Sequence, residues 1–143
     1  AKDCFIPSDE KIKKQNKKRF LLNTVPIVYS PNFISKMKPK LEKNAELAKN
    51  MPDEYYQAAV NLFNNAISNT NFSNKLKEIK CPVLVIRGDK DTQFCKNMTD
   101  VLVNNIPNCE YVMLPEAGHA AFVEEPEIIN TLIFGFIKKN SSF

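Results

Sequence analysis

Glycine is scarce in this 143-residue sequence, occurring only at Gly88, Gly118 and Gly135. Three scattered glycines cannot build a glycine-rich stretch of the kind that forms an oxyanion hole. Histidine is scarcer still, with His119 the sole example. The four cysteines, Cys4, Cys81, Cys95 and Cys109, form no C-x-x-C pair and no zinc quartet with one histidine. Asp89 and Asp91 are two carboxylates without further ligands, a poor metal loop. Neither a metal nor a cofactor is expected. No apolar run approaches the roughly 18 residues of a membrane span. Ala1-Lys2-Asp3-Cys4 does not look like a secretory signal. With free thiols, these absences predict a cytoplasmic protein without a membrane partner. Cys81 and Cys109, each at the start of an apolar run, are expected to pack as small apolar side chains.

The composition is otherwise ordinary. Hydrophobic residues make up 43% and charged residues 25%, as in globular proteins, and the length suffices for one domain with a core. Charge is uneven: residues 1–80 carry 15 Lys/Arg against 8 Asp/Glu, residues 81–143 carry 5 against 8. Six basic residues fall between positions 11 and 19. Without interleaved aromatics or a recognisable motif they read as a solvated helix face, and no nucleic-acid partner is expected.

The sequence is organised around residues 81–123. Pro82-Val83-Leu84-Val85-Ile86 is a continuous apolar run bounded by Gly88-Asp89-Lys90-Asp91. Such a run predicts a strand over residues 82–87, buried on both faces as in a parallel sheet. Phe94, Met98, Leu102 and Ile106 recur every four residues and predict a helix. A second strand follows over Cys109–Leu114, and then Gly118-His119. A right-handed β-helix-β crossover makes the two strands parallel. Glu124-Glu125-Pro126-Glu127 opens a final helix whose broad apolar face is Ile128, Ile129, Leu132, Ile133, Phe136 and Ile137, ending at Lys138-Lys139.

Residues 1–75 lack a convincing strand. Ser8-Asp9-Glu10 predicts a helix start leading to Phe20-Leu21-Leu22. Pro26 and Pro31 predict a connection over residues 24–31, and Pro39 predicts a split between two short helices. Pro52 marks a further helix start, with Tyr56, Val60, Phe63 and Ile67 as its apolar stripe. Eight aromatics fall in this block: Phe5, Phe20, Tyr29, Phe33, Tyr55, Tyr56, Phe63 and Phe72. Most read as helix-packing core.

The order of these pieces resembles the C-terminal part of α/β-hydrolase-fold enzymes. The similarity covers roughly residues 76–139: the apolar strand, the G-x-x-D loop, the Gly-His after the next strand, then Glu-Glu-Pro and a helix. It implies a partial α/β-hydrolase fold, with a helical lid block over residues 1–75 and β-α-β-α with two parallel strands over residues 76–143. It further implies that Asp91 is the acid of a catalytic triad and His119 its base. A histidine base needs a carboxylate on its far nitrogen to fix the tautomer and stabilise the imidazolium. Asp91 and His119 can meet if their strands are neighbours, since both residues then leave the same sheet edge. The plain alternative is that Asp91 caps the following helix and His119 is a satisfied loop residue.

The family's nucleophile sits on a G-x-S-x-G elbow, which three scattered glycines cannot build. The expectation is therefore a fragment of a hydrolase, inactive without an N-terminal half that carries the nucleophile, and with a small-molecule substrate in the whole enzyme. The alternative is a hydrolase-like interaction module without chemistry. With two strands and a wide apolar helix face, the chain is expected to pair with a missing half or to self-associate.

Overall fold

The computed structural model describes residues 17–48, 50–69 and 72–141. These form two compact units. One gathers the described residues up to Thr24 and those between Met37 and residue 69; the other gathers Val25–Lys36 with residues 72–141.

Helix α1 spans Lys17–Val28 and α2 spans Pro31–Ala48. Both correct the sequence reading. Residues 24–31 are not a connection, because α1 continues through Pro26, which lies in its last turn. There the fixed φ of proline suits the helix, and only one donor is lost before the helix stops. Tyr29 N still donates to Val25 O at 2.9 Å. Pro31 occupies the first position of α2, where its missing N–H costs nothing, and Ser30 Oγ accepts the Phe33 N–H at 3.2 Å as the cap. Pro39 does not split α2, which runs unbroken past it. The helix anchors beyond the proline through Ala45 and Ala48, both buried in the first unit.

Helix α3 spans Asp53–Asn69. Of its expected stripe, Tyr56 is buried; it donates to Ala48 O at 3.1 Å and meets Phe20 edge-on at 5.5 Å. Two of the six basic residues act within this unit. Lys17 donates to Met51 O and lies 5.6 Å from the Tyr56 ring, and Lys18 pairs with Glu46. The expected helix start at Ser8-Asp9-Glu10, and Cys4, lie outside the described residues.

The second unit holds the sheet. A 3₁₀ turn over Ser73–Glu78 leads into β1, Val83–Gly88; then come α4, Lys96–Asn105, and β2, Cys109–Leu114. The two strands pair in parallel, Val83 opposite Cys109 and Gly88 opposite Leu114, as the crossover requires. A short helix α5, Ala121–Glu124, precedes α6, Pro126–Asn140, which has Pro126 in its first turn and Lys138 and Lys139 in its last.

Burial is thinner than the sequence predicts. β1 is half-buried along its length except at Gly88, not buried on both faces, because the described residues supply one neighbouring strand. On α4, Ile106 just past the end is buried, but Met98 is exposed and Thr99 takes the fully buried position. The helix begins only at Lys96, which leaves Phe94 in the preceding loop. Cys81 is exposed rather than packed, and Cys109 is half-buried. The core is Leu114, Ala117, Ala121 and Ile129, with Ile86, Val112 and Leu132 against it. On α6 only Ile129 is buried; Ile128, Ile133, Phe134 and Ile137 are exposed. No helix among the described residues is long and apolar enough to cross a membrane.

Candidate active site

The site grows from the carboxyl ends of β1 and β2, where parallel sheets of this class place their sites. Beyond the ladder, Asp89 N donates to Leu114 O at 3.0 Å and Lys90 N to Ala117 O at 2.9 Å, so the two loops stay joined. Gly88 permits this approach: a Cβ there would lie 2.1 Å from Ala117 O. Glu116 turns the chain with a left-handed φ of 61°.

The acid loop is held by its own groups. Asp91 is buried. Its Oδ1 accepts the backbone N–H of Gln93 at 2.8 Å and of Phe94 at 2.9 Å. From β1, Arg87 donates through Nε to Phe94 O at 2.7 Å and through Nη2 to Asp91 O at 3.2 Å. With the loop shaped by Oδ1, the second carboxylate oxygen is left for the histidine. Asp91 Oδ2 lies 3.0 Å from His119 Nδ1. Asp89 turns elsewhere, its Oδ2 pairing with Lys90 at 3.1 Å.

The Asp91 side chain is 6% exposed and that of His119 43%. A buried carboxylate thus meets an imidazole that reaches solvent. With Asp91 ionised, Nδ1 carries the proton and donates, and Nε2 keeps a lone pair. That tautomer can accept a proton from a hydroxyl or water. Asp91 does not cap α4, whose preceding residue is Cys95.

Sequence reasoning did not identify Arg87, Ser30 or Glu124. Glu124 Oε1 accepts Ser30 N at 2.9 Å and Gly118 N at 3.1 Å, and its Oε2 accepts Ser30 Oγ at 2.5 Å. Ala120 N donates to Val28 O at 3.0 Å. Ile27 O lies 3.4 Å from both Thr92 Oγ1 and Gln93 Nε2. Residues 27–30 therefore touch the acid loop and the histidine loop together. Next to them Tyr29 and Phe33 stack at 5.0 Å, two of the eight aromatics of the helical block. No local pattern marks a contact across some 94 residues; Glu124 signals only a helix start in the sequence.

No protein-family model matches the chain. RutD of Escherichia coli, for which a carbamate hydrolase activity is proposed, is 28% identical over 108 residues, 74% of this chain and 39% of RutD. An α/β-hydrolase enzyme from a Medee basin deep-sea metagenome library superimposes with a TM-score of 0.84 at 26% identity, over 94% of this chain and 49% of that one. A thermophilic esterase from Thermogutta terrifontis gives a TM-score of 0.74 at 20% identity, covering 92% and 48%. The chain spans about half the length of these solved structures and 39% of the curated relative. Helices followed by a parallel β-α-β unit, the joined loop ends and these likenesses agree: the chain carries part of the α/β-hydrolase fold and resembles the C-terminal part of the enzymes built on it.

Proposed function

We propose that this chain supplies the acid and the base of a hydrolase active site, with Asp91 as orienting acid and His119 as general base. The observation that carries the reading is the 3.0 Å contact of Asp91 Oδ2 with His119 Nδ1 at the ends of two parallel strands. In the reaction, His119 Nε2 takes the proton of a nucleophilic hydroxyl as its oxygen bonds to the substrate carbonyl carbon. It then returns that proton to the departing alkoxide or amine, while Asp91 stabilises the imidazolium. Water repeats the sequence to release the acid. The nucleophile comes from polypeptide outside this sequence, since no G-x-S-x-G can be built within it. The substrate is a small molecule with an ester-like or carbamate-like carbonyl, as the names of the relatives suggest. The helical block serves as a lid over it.

The same reading makes association with a complementary half, or with a second copy, the expected state. The half-buried β1 and the exposed apolar residues of α6 support it. Two measurements test the proposal. The isolated chain should hydrolyse an activated aryl ester no faster than its H119A variant. Joined to a polypeptide that supplies the nucleophile, it should turn over, and Asp91→Asn should lower the rate by about four orders of magnitude, with Asp89→Asn far milder. His119-dependent turnover by the isolated chain, or a reversed order of the two aspartates, overturns the assignment.

A further inference from the structure

The backbone on both sides of His119 is tied to one short segment, and a single carboxylate makes most of that tie. Gly118, just before the histidine, donates its N–H to Glu124 Oε1, and Ala120, just after it, donates to Val28 O. Glu124 also accepts both the N–H and the hydroxyl of Ser30, which is 2% exposed. Contact here is close: a Cβ on Gly118 would lie 2.6 Å from Ser30 N and 2.7 Å from Glu124 Oε1. Ile27 O, at the other end of the segment, meets Thr92 and Gln93 of the acid loop. Residues 27–30 thus bridge the two loops that must stay in register for Asp91 to reach His119.

We propose that Glu124 is a positioning residue for the Asp91–His119 pair: its carboxylate clamps residues 28–30 to the histidine loop and thereby sets the imidazole against Asp91. It rests on the reading of that pair given above. Three charge-assisted hydrogen bonds on one half-buried carboxylate are more than a surface helix start needs. Glu124 touches none of the reacting atoms; its effect passes through the backbone of Gly118 and through Ser30. A glutamine can retain the pattern, since its carbonyl oxygen accepts from the two N–H groups and its amide donates to the Ser30 hydroxyl. An aspartate is one methylene too short to hold Ser30 and Gly118 together.

The single histidine makes the test specific. In the full chain, proton NMR of the His119 Nδ1–H reads the contact with Asp91 directly, with no other imidazole to confuse it. Wild type and Glu124→Gln should show the low-field resonance at the same exchange rate. In Glu124→Ala and Glu124→Asp it should broaden, with exchange about tenfold faster or more, the scale set by losing charge-assisted hydrogen bonds. Should the alanine variant not fold, the aspartate variant carries the test. A resonance unchanged in Glu124→Asp, even with a lowered Tm, shows a merely structural role and overturns the proposal. Asp91→Asn separates the two readings. If that variant leaves the resonance in place, the Asp91–His119 assignment itself fails; if it moves the resonance while Glu124→Asp does not, only the positioning role fails.

Discussion

The corner that carries Asp91 and His119 and the helix α6 belong to the same compact unit, yet they meet water in opposite ways. In the corner small residues, Ala117, Gly118, Ala120 and Ala121, are buried, and the Asp91 and Glu124 carboxylates accept hydrogen bonds from neighbouring backbone. On α6, Ile128, Ile133, Phe134 and Ile137 stand in solvent, Phe134 with 77% of its surface exposed. Covering such side chains is worth roughly 1.5–3 kcal/mol each. Most polar groups of the corner thus find partners over short reach, within loops that this chain holds itself; Asp89 Oδ1, buried without a hydrogen-bond partner among the described residues, is an exception. Apolar faces need area, and the two strands among the described residues have little to offer.

Several substitutions break or sharpen this contrast. Gly88→Ala should have the largest effect, since its Cβ would meet the Ala117 backbone, which cannot swing aside as a side chain would. A loss of more than about 3 kcal/mol is expected, beyond ordinary overpacking, read from urea midpoints. A mild effect there would mean that the two loops are not joined as described. Arg87→Met should cost about 2 kcal/mol by leaving the carbonyls of Asp91 and Phe94 without their charged donor. The His119 resonance should shift with it, because the acid loop loosens.

Thr99→Val probes a polar group outside the corner. Thr99 is fully buried, and its Oγ1 has no hydrogen-bond partner among the described residues. Removing the hydroxyl should stabilise by about 1 kcal/mol, and a destabilised valine variant would point to a partner for it. On α6, Phe134→Lys with Ile137→Lys should change the stability of the chain by less than about 0.5 kcal/mol, as exposed positions do. In sedimentation the same pair should raise the monomer fraction. If association is untouched, the β1 edge and not this helix carries it.

The smallest effect is alkaline. Hydrogen bonds to Glu116 and then Asp89 hold the Lys90 amine above its usual 10.5, and burial pushes the Cys109 thiol above 9.0. In both cases folding favours the protonated form. Their contribution is therefore complete below these values and fades as pH rises through them. Tm should fall first above pH 9, and Cys109→Ala should remove that early part. Cys81 and Cys95, both exposed, should react with a thiol reagent before Cys109.

The β-α-β unit was legible because its signals are local: a continuous apolar run, a fourfold repeat and a turn at Gly88-Asp89 need no distant partner to be read. β2 falls on Cys109–Leu114 as expected, and β1 lies one residue later than read. The prolines misled because the penalty for Pro26 and Pro39 depends on place in the helix and on neighbours, neither of which is written locally.

By itself, then, the sequence determined the order of elements from β1 onward, the parallel pairing and the loop ends on which Asp91 and His119 sit. These follow from periodicity, chain direction and crossover handedness. That Asp91 rather than Asp89 faces the imidazole was implied only by the family resemblance, and the tertiary structure gives its physical ground in the backbone N–H groups and the Arg87 guanidinium that shape the loop. It alone brought Ser30 against Glu124, since a hydrogen bond across 94 residues depends on how the chain returns upon itself and leaves no trace in either local stretch.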